Sequence, residues 1–207
     1  MASIANRRSI MVLYSDQVTP IGHAVRIVQA EKDINVEIIF VNDEHPEELH
    51  ELNPYNTSLT LIDRDLVLYE AQIIMEYLDE RFPHPPLMPV DPVARATNRQ
   101  FRYRVMRDLY ALIDDIENGN DNAAASARKT MRDNLTALAP VFNQKLYFMS
   151  DEYSLIDCCM APLLWRLNSW KIKLPASTKS LIRYGDRLFS RNAFKDSLSV
   201  FERELNK

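Results

Sequence analysis

Glycine is scarce in this chain of 207 residues, which contains only Gly22, Gly119 and Gly185. These three positions lie far apart in the sequence. A phosphate-binding loop or a dinucleotide-binding fingerprint needs several glycines within a few residues. The sequence therefore excludes the nucleotide-binding enzymes that depend on such loops.

Cysteine is also rare, because Cys158 and Cys159 are the only two and they are adjacent. A small secreted protein held together by disulfides needs several cysteines spaced along the chain. We interpret both as small apolar core residues and expect a protein of the reducing cytoplasm. The histidines at positions 23, 45 and 50 do not have the spacing of metal ligands, so we expect no metal site and no cofactor.

Long apolar runs and an excess of positive charge are missing as well. No apolar stretch approaches the length that spans a membrane, and the basic start of the chain lacks the apolar region of a signal peptide, so we expect no membrane association. The net charge is −4. Proteins that bind nucleic acid unaided usually neutralise phosphates with a basic surface, so we expect no direct binding of nucleic acid.

Strand and helix patterns alternate in the first part of the chain. The apolar run Ser9–Tyr14 predicts a strand buried on both faces. Thr19 followed by Pro20 predicts the start of a helix, with a hydroxyl N-cap and a proline at the first helical position. Further patterns predict a strand over 36–41, a short helix over 46–52, a hairpin of strands 59–62 and 66–69, and a helix over 70–81. This order is that of a thioredoxin-like domain.

Five prolines between residues 83 and 92 exclude a helix or a central strand there and predict an extended linker. Beyond the linker only helical periodicity is present. Ser154 and Asp157 have the spacing of a capping box at the start of an apolar, central helix. The other predicted helices cover 93–117, 123–138, 177–190 and 192–204.

These features resemble the cytosolic glutathione S-transferase family, and within it the stringent starvation protein A family of bacterial RNA polymerase-associated proteins. The resemblance lies in residues 23–32, 53–54, 73–89, 139–142 and 161–167, and the run Phe-Pro-His-Pro-Pro-Leu-Met-Pro at 82–89 is its most specific part. It implies an α+β protein with the glutathione S-transferase fold. A thioredoxin-like N-terminal domain would cover 8–86, an all-α C-terminal domain 91–207, and the protein would be a homodimer.

The resemblance implies two alternative functions, and the first is glutathione chemistry. The redox-active cysteine of that family corresponds to Thr19, whose hydroxyl cannot form a mixed disulfide. Ser15 is a possible substitute as a hydrogen-bond donor to a thiolate, although we interpret it as a polar loop residue. The family's cis-proline is replaced by Leu59, so we expect a trans Ser58–Leu59 bond and an altered pocket, because a cis bond before a non-proline residue costs about 2.5–4 kcal/mol.

The pair that holds the γ-glutamyl group in the family is Glu70-Ala71 in this chain. Glu70 matches the family, but Ala71 lacks the hydroxyl of the usual serine. A carboxylate at the start of a helix also stabilises the helix without any ligand. A glutathione-dependent transferase or reductase with a remodelled site is therefore the less favoured alternative, and we assign no catalytic or cofactor-binding residue.

The second function implied by the resemblance is transcriptional regulation under starvation or acid stress, by association with RNA polymerase holoenzyme including its sigma factor. In that family the Pro-His-Pro stretch contacts the polymerase, and it corresponds to Pro83, His84 and Pro85. Prolines on both sides hold the histidine in an extended backbone, which reduces the entropy lost on binding. From the residues alone, a solvated interdomain linker remains the other interpretation.

Two further groups of polar residues are open to alternative interpretations. We interpret His23 and Arg26 as structural or surface residues rather than catalytic ones. The helix after the linker carries arginines at 95, 99, 102, 104 and 107. These form a solvated charged face or pair with acidic groups of a second subunit or a partner protein.

Overall fold

The computed structural model of the protein describes residues 10–41, 47–55 and 57–206, which form two compact units. The first unit extends to Pro85 and also contains Asp196–Arg203. The second unit contains Pro86–Lys195 and the last residues from Glu204. The predicted domain boundaries, 8–86 and 91–207, place Asp196–Arg203 in the second domain, whereas the structure packs this segment with the first unit.

The first unit is built on a four-stranded sheet with the strand order β2-β1-β3-β4. Its strands are β1 Met11–Ser15, β2 Val36–Phe40, β3 Thr60–Asp63 and β4 Leu66–Tyr69. β1 pairs in parallel with β2 and antiparallel with β3, and β3 pairs antiparallel with β4. All five residues of β1 are buried, as its continuous apolar sequence predicts for a central strand.

Three helices complete the main part of this unit: α1 Pro20–Glu31, α2 Glu47–Leu52 and α3 Ala71–Arg81. Thr19 is the N-cap of α1, because its side chain accepts a hydrogen bond from the Gly22 amide, and Pro20 occupies the first helical turn as predicted. Leu49 of α2 packs with Val12 and Tyr14 of β1. The unit has the thioredoxin-like order of elements that the sequence predicts.

The second unit is helical. Its helices are α4 Pro92–Asp108, α5 Ile113–Asn118, α6 Asp121–Leu138, α7 Leu155–Arg166 and α8 Lys179–Ser190, with short 3₁₀ turns at Tyr110–Leu112, Ala139–Asn143 and Ala176–Thr178. Two more helices, α9 Asn192–Ser197 and α10 Val200–Glu204, end the chain. Within the described residues, no helix is long and apolar enough to cross a membrane.

The prediction of one helix over 93–117 is wrong, because the chain leaves the α-conformation at Leu109. Hydrogen bonds from other helices stabilise this break. The Asn134 side chain donates to the carbonyl of Asp108 at 3.0 Å, and the Tyr110 hydroxyl donates to the carbonyl of Cys159 at 2.8 Å. The Asp108 carbonyl loses its helical amide partner at the break and accepts a hydrogen bond from a distant residue instead. Helical periodicity in the sequence gives no sign of such a contact.

The prediction of a single helix over 192–204 is also wrong, because Ser199 starts a new helix. The Ser199 hydroxyl accepts a hydrogen bond from the amide of Glu202 at 3.1 Å, and the Glu202 carboxylate accepts one from the amide of Ser199 at 2.9 Å. This reciprocal pair is a capping box. The Ser-x-x-Glu spacing was present in the sequence and went unrecognised.

The central helix α7 begins as predicted, with the Asp157 carboxylate accepting a hydrogen bond from the Ser154 amide at 2.8 Å. Asp157 also accepts from the Phe148 amide at 2.9 Å and the Tyr184 hydroxyl at 2.7 Å. Burial raises the pKa of Asp157 to about 6, although these hydrogen bonds lower it. Cys158 is buried and reduced, as is its neighbour Cys159, which confirms their interpretation as core residues.

Candidate functional site

The Pro-His-Pro loop, which we define as Pro83–Pro85, follows directly after helix α3. The amide of Phe82 donates to the Leu78 carbonyl at 3.1 Å and closes the helix. Pro83, His84 and Pro85 are all exposed, and the His84–Pro85 peptide bond is cis. The three residues that the resemblance identifies as a partner-binding site therefore lie together on the surface of the first unit.

A buried lysine holds the end of the Pro-His-Pro loop. The Lys32 ammonium group lies 2.5 Å from the carbonyl oxygen of Pro85 and 2.5 Å from the Asp79 carboxylate. Lys32 is the C-cap of α1, and Asp79 lies in the last turns of α3. Neither residue can be predicted as part of the site from the sequence, because a lysine at the end of one helix and an aspartate on another give no signal that they meet.

The position after β1, at which glutathione-using relatives place a sulfur-stabilising residue, is closed by protein contacts. Ser15 is the last residue of β1 rather than a loop residue, and it is fully buried. Its hydroxyl donates to the Asp16 carbonyl at 3.0 Å and accepts from the Arg26 guanidinium at 2.7 Å. The Ser15 hydroxyl proton is thus donated to the backbone, which argues against the alternative of Ser15 as a hydrogen-bond donor to a thiolate.

Asp16, which the sequence analysis did not single out, organises the loop between β1 and α1. Its carboxylate accepts hydrogen bonds from the amides of Val18 at 2.9 Å and Thr19 at 2.5 Å, and from the hydroxyls of Thr19 at 2.6 Å and Ser58 at 3.2 Å. Burial by itself raises the pKa of Asp16, but the hydrogen bonds from Thr19 and Val18 and the charge of Arg26 hold that pKa below its ordinary value. An ionised carboxylate therefore ties the Thr19 loop to the chain before β3.

The loop around Asp16 leaves little free space. A β-carbon added at Gly22 would lie 2.9 Å from the Ser15 hydroxyl oxygen and 3.2 Å from oxygens of Asp16 and Thr19. These distances are shorter than ordinary van der Waals contacts. Gly22 is thus required by the close approach of helix α1 to the loop.

The remaining positions that correspond to glutathione contacts also have structural roles. The Ser58–Leu59 bond is trans, as expected from the loss of the proline, because His84–Pro85 is the one cis bond in the described part of the chain. Glu70 is the N-cap of α3, where its carboxylate accepts from the amides of Gln72 at 2.9 Å and Ile73 at 3.3 Å. The geometry thus supports the interpretation of this carboxylate as a helix cap.

His23 and Arg26 are buried and join the C-terminal segment to the first unit. All five N–H donors of the Arg26 guanidinium have acceptors: two are oxygens of the Glu202 carboxylate, one is the Ser197 carbonyl, and two are the contacts to Ser15 and Asp16. His23 lies 3.0 Å from the Ser197 hydroxyl and 3.4 Å from the Glu202 carboxylate. These roles agree with the structural interpretation of both residues.

The arginines of α4 do not form one exposed face. Arg102 is buried, and its guanidinium donates to the Asn98 side chain at 3.1 Å. Arg104 lies 3.7 Å from the Asp108 carboxylate. Arg107 donates to the Tyr103 hydroxyl at 3.2 Å. The interpretation of these arginines as a solvated charged face is therefore wrong at Arg102, because Asn98, Arg102 and Val105 lie on the buried face of the helix.

Comparison with known proteins identifies relatives of the whole chain. The family model of the glutathione S-transferase N-terminal domain matches residues 11–80, and that of the C-terminal domain matches residues 101–192. A stringent starvation protein A homolog from Coxiella burnetii is 51% identical over 201 residues and covers 96% of both chains. Another from Pasteurella multocida is 50% identical over 202 residues, which is 97% of this chain and 95% of the relative.

Solved structures show the same fold. A rice glutathione S-transferase in complex with glutathione superimposes with a TM-score of 0.84 at 22% identity, covering 96% of both chains. At this low identity the likeness supports a shared architecture and says nothing about a shared ligand.

Proposed function

The chain belongs to the stringent starvation protein A family within the glutathione S-transferase family, and on this basis we propose that it regulates transcription by associating with bacterial RNA polymerase. The partner in this proposal is the holoenzyme with its sigma factor, and the setting is the cytoplasm during starvation or acid stress. The protein acts as a homodimer, without glutathione chemistry and without binding nucleic acid directly.

The observation that carries this proposal is the geometry of the Pro-His-Pro loop. Pro83, His84 and Pro85 present three exposed side chains. Two of these residues are prolines, which restrict the backbone, and the carbonyl of Pro85 is held by Lys32. A surface loop that is ordered before binding loses less conformational entropy when a partner docks.

The side chains at the positions that correspond to the family's glutathione contacts support the same proposal. Ser15 and Asp16 use their side chains to hold the loop after β1, and Glu70 caps its own helix. These side-chain groups are thus engaged by partners within the protein, and Asp16 places a negative charge beside the loop after β1. A glutathione-dependent transferase or reductase with a remodelled site is the alternative, and it requires these groups to accommodate a ligand as well.

The docking site is tested by measuring the affinity of purified protein for RNA polymerase holoenzyme. We expect the variant P83A/H84A/P85A to remain folded and to bind at least about tenfold more weakly, because a few residues near the centre of an interface carry most of its binding energy and truncating one of them costs about 2 kcal/mol or more. The matched control is H50A/P54A/P140A, which changes one histidine and two prolines that are also exposed. Wild-type affinity in P83A/H84A/P85A would refute the assignment of the loop.

The enzyme alternative is tested by calorimetric titration with reduced glutathione at millimolar concentration, with a glutathione-binding transferase titrated in parallel. We expect no saturable heat and no increase in the melting temperature. Saturable binding would mean that Asp16 and its partners leave the pocket accessible. Thiol-conjugation assays would then come before any claim about transcription.

A further inference from the structure

A buried ion pair lies directly beneath the Pro-His-Pro loop. The Lys32 side chain is fully buried and the Asp79 side chain is 7% exposed, and their charged groups are 2.5 Å apart. The same ammonium group donates to the carbonyl of Pro85. One buried cation thus connects the end of α1, the last turns of α3 and the backbone of the loop.

The hydrogen bond from Lys32 to the Pro85 carbonyl restricts a backbone orientation that the proline rings leave free. Helix α3 and its closing bond at Phe82 define where the loop begins. The rings of Pro83 and Pro85 restrict their φ angles, and the bond from Lys32 restricts the orientation of the Pro85 carbonyl. The conformation of His84 is therefore determined from both sides.

We propose that Lys32, paired with Asp79, is the positioning residue of the partner-binding loop and holds His84 in its docking conformation. This inference rests on the proposed function of Pro83–Pro85 as the surface that binds RNA polymerase. Lys32 itself touches no partner, since its side chain is buried.

The energetics of buried ion pairs favour this role over a purely stabilising one. The cost of removing two charges from water commonly cancels their attraction, and apolar replacements of both partners are often neutral or stabilising. A buried lysine and aspartate are therefore not needed to hold α1 against α3. An apolar pair would lack the donor that the Pro85 carbonyl requires.

The test compares the affinity of three proteins for RNA polymerase holoenzyme. K32M/D79L removes the donor to Pro85 without leaving one buried charge alone, and we expect a loss of affinity of about tenfold as the loop must be ordered on binding. D79N keeps Lys32 as the donor but removes the carboxylate that pairs with its buried charge, so we expect a less stable protein whose folded form retains wild-type affinity within about twofold. The matched control R26M/E202L removes a different buried ion pair of the first unit, and its affinity should be unchanged.

A double-mutant cycle separates positioning from general destabilisation. If Lys32 acts through His84, the loss caused by H84A becomes smaller in the K32M/D79L background than in the wild type. The order of the His84 backbone amide, measured by NMR relaxation without any partner, should also fall in K32M/D79L. This second measurement requires only that the variant folds, and D79N provides the ordered reference.

The outcomes distinguish the two proposals. Wild-type binding by P83A/H84A/P85A refutes the proposed docking site, whatever Lys32 does. Loss of binding in that variant, combined with wild-type affinity and an ordered His84 amide in K32M/D79L, refutes the positioning role and leaves the docking site in place. Additive losses in the cycle with H84A would also refute the positioning role.

Discussion

Substituting leucine for Glu202 removes the acceptor of two of the hydrogen bonds that the Arg26 guanidinium makes, at 2.8 and 2.7 Å. The two side chains are 1% and 0% exposed, so water cannot replace the carboxylate. Each buried donor left without an acceptor costs about 1–3 kcal/mol, and removing one partner of a buried ion pair costs about 3–5 kcal/mol. We therefore expect E202L to lower the free energy of unfolding by about 3–5 kcal/mol.

The matched variants show whether the loss comes from the pair itself. R26M leaves the Glu202 carboxylate buried and unpaired, and it should cause a similar loss. R26M/E202L removes both charges and leaves no buried charge unpaired, so its loss should be smaller than that of either single variant. Urea unfolding followed by far-ultraviolet circular dichroism measures all four proteins.

The result that would refute this reasoning is additivity. If the two single losses sum to the double loss within about 0.5 kcal/mol, the residues are not coupled and the guanidinium does not depend on Glu202. Because both groups are buried, the coupling should also persist in about 1 M salt, where exposed ion pairs are screened beyond about 3 Å.

Other predictions follow from single contacts. Burial raises the pKa of Asp157 from the ordinary 3.8 to about 6, so protonation of Asp157 stabilises the fold fully below pH 3.8 and this stabilisation is lost as the pH rises through 6. The free energy of unfolding of the wild type relative to D157N should therefore increase by about 2–3 kcal/mol from pH 7 to pH 4. Equal slopes of unfolding free energy against pH for the two proteins would contradict this. S199A removes a helix cap and should cost about 1–2 kcal/mol, whereas S190A at an exposed helix end should cost little. G22A should destabilise by about 1–3 kcal/mol, whereas G185A, whose added β-carbon would have its nearest neighbour at 3.5 Å, should be neutral or stabilising in thermal unfolding.

Local signals account for the elements that the sequence predicted correctly. Thr19-Pro20 and the Ser154–Asp157 pair each satisfy backbone amides at the start of a helix, and they do so with residues at most three positions away. The hairpin around Arg64 and Asp65 is likewise a local feature. Such elements can be recognised in the sequence, because all the interacting groups lie within one window of the chain.

The errors lie at positions where another signal overrides helical periodicity. The break at Leu109 depends on a distant residue, Asn134, which satisfies the released carbonyl of Asp108. The separate helix from Val200 depends on a local signal, the capping box of Ser199 and Glu202. In both cases the apolar pattern continues through the break, so periodicity alone favours one long helix.

The sequence by itself determined the family, the order of strands and helices, and the Pro-His-Pro loop as the candidate site. The order of strands and helices follows from propensity and capping, which are properties of neighbouring residues. The family and the candidate site come from the resemblance of specific runs, above all the one at 82–89. Only the tertiary structure decided that Lys32 supports that loop, that Asp16 reaches Ser58, and that Glu202 is bound by Arg26. These contacts join residues that are 42 to 176 positions apart. The physical reason is that a buried polar group must find a partner wherever the fold brings one, and sequence spacing does not record that encounter.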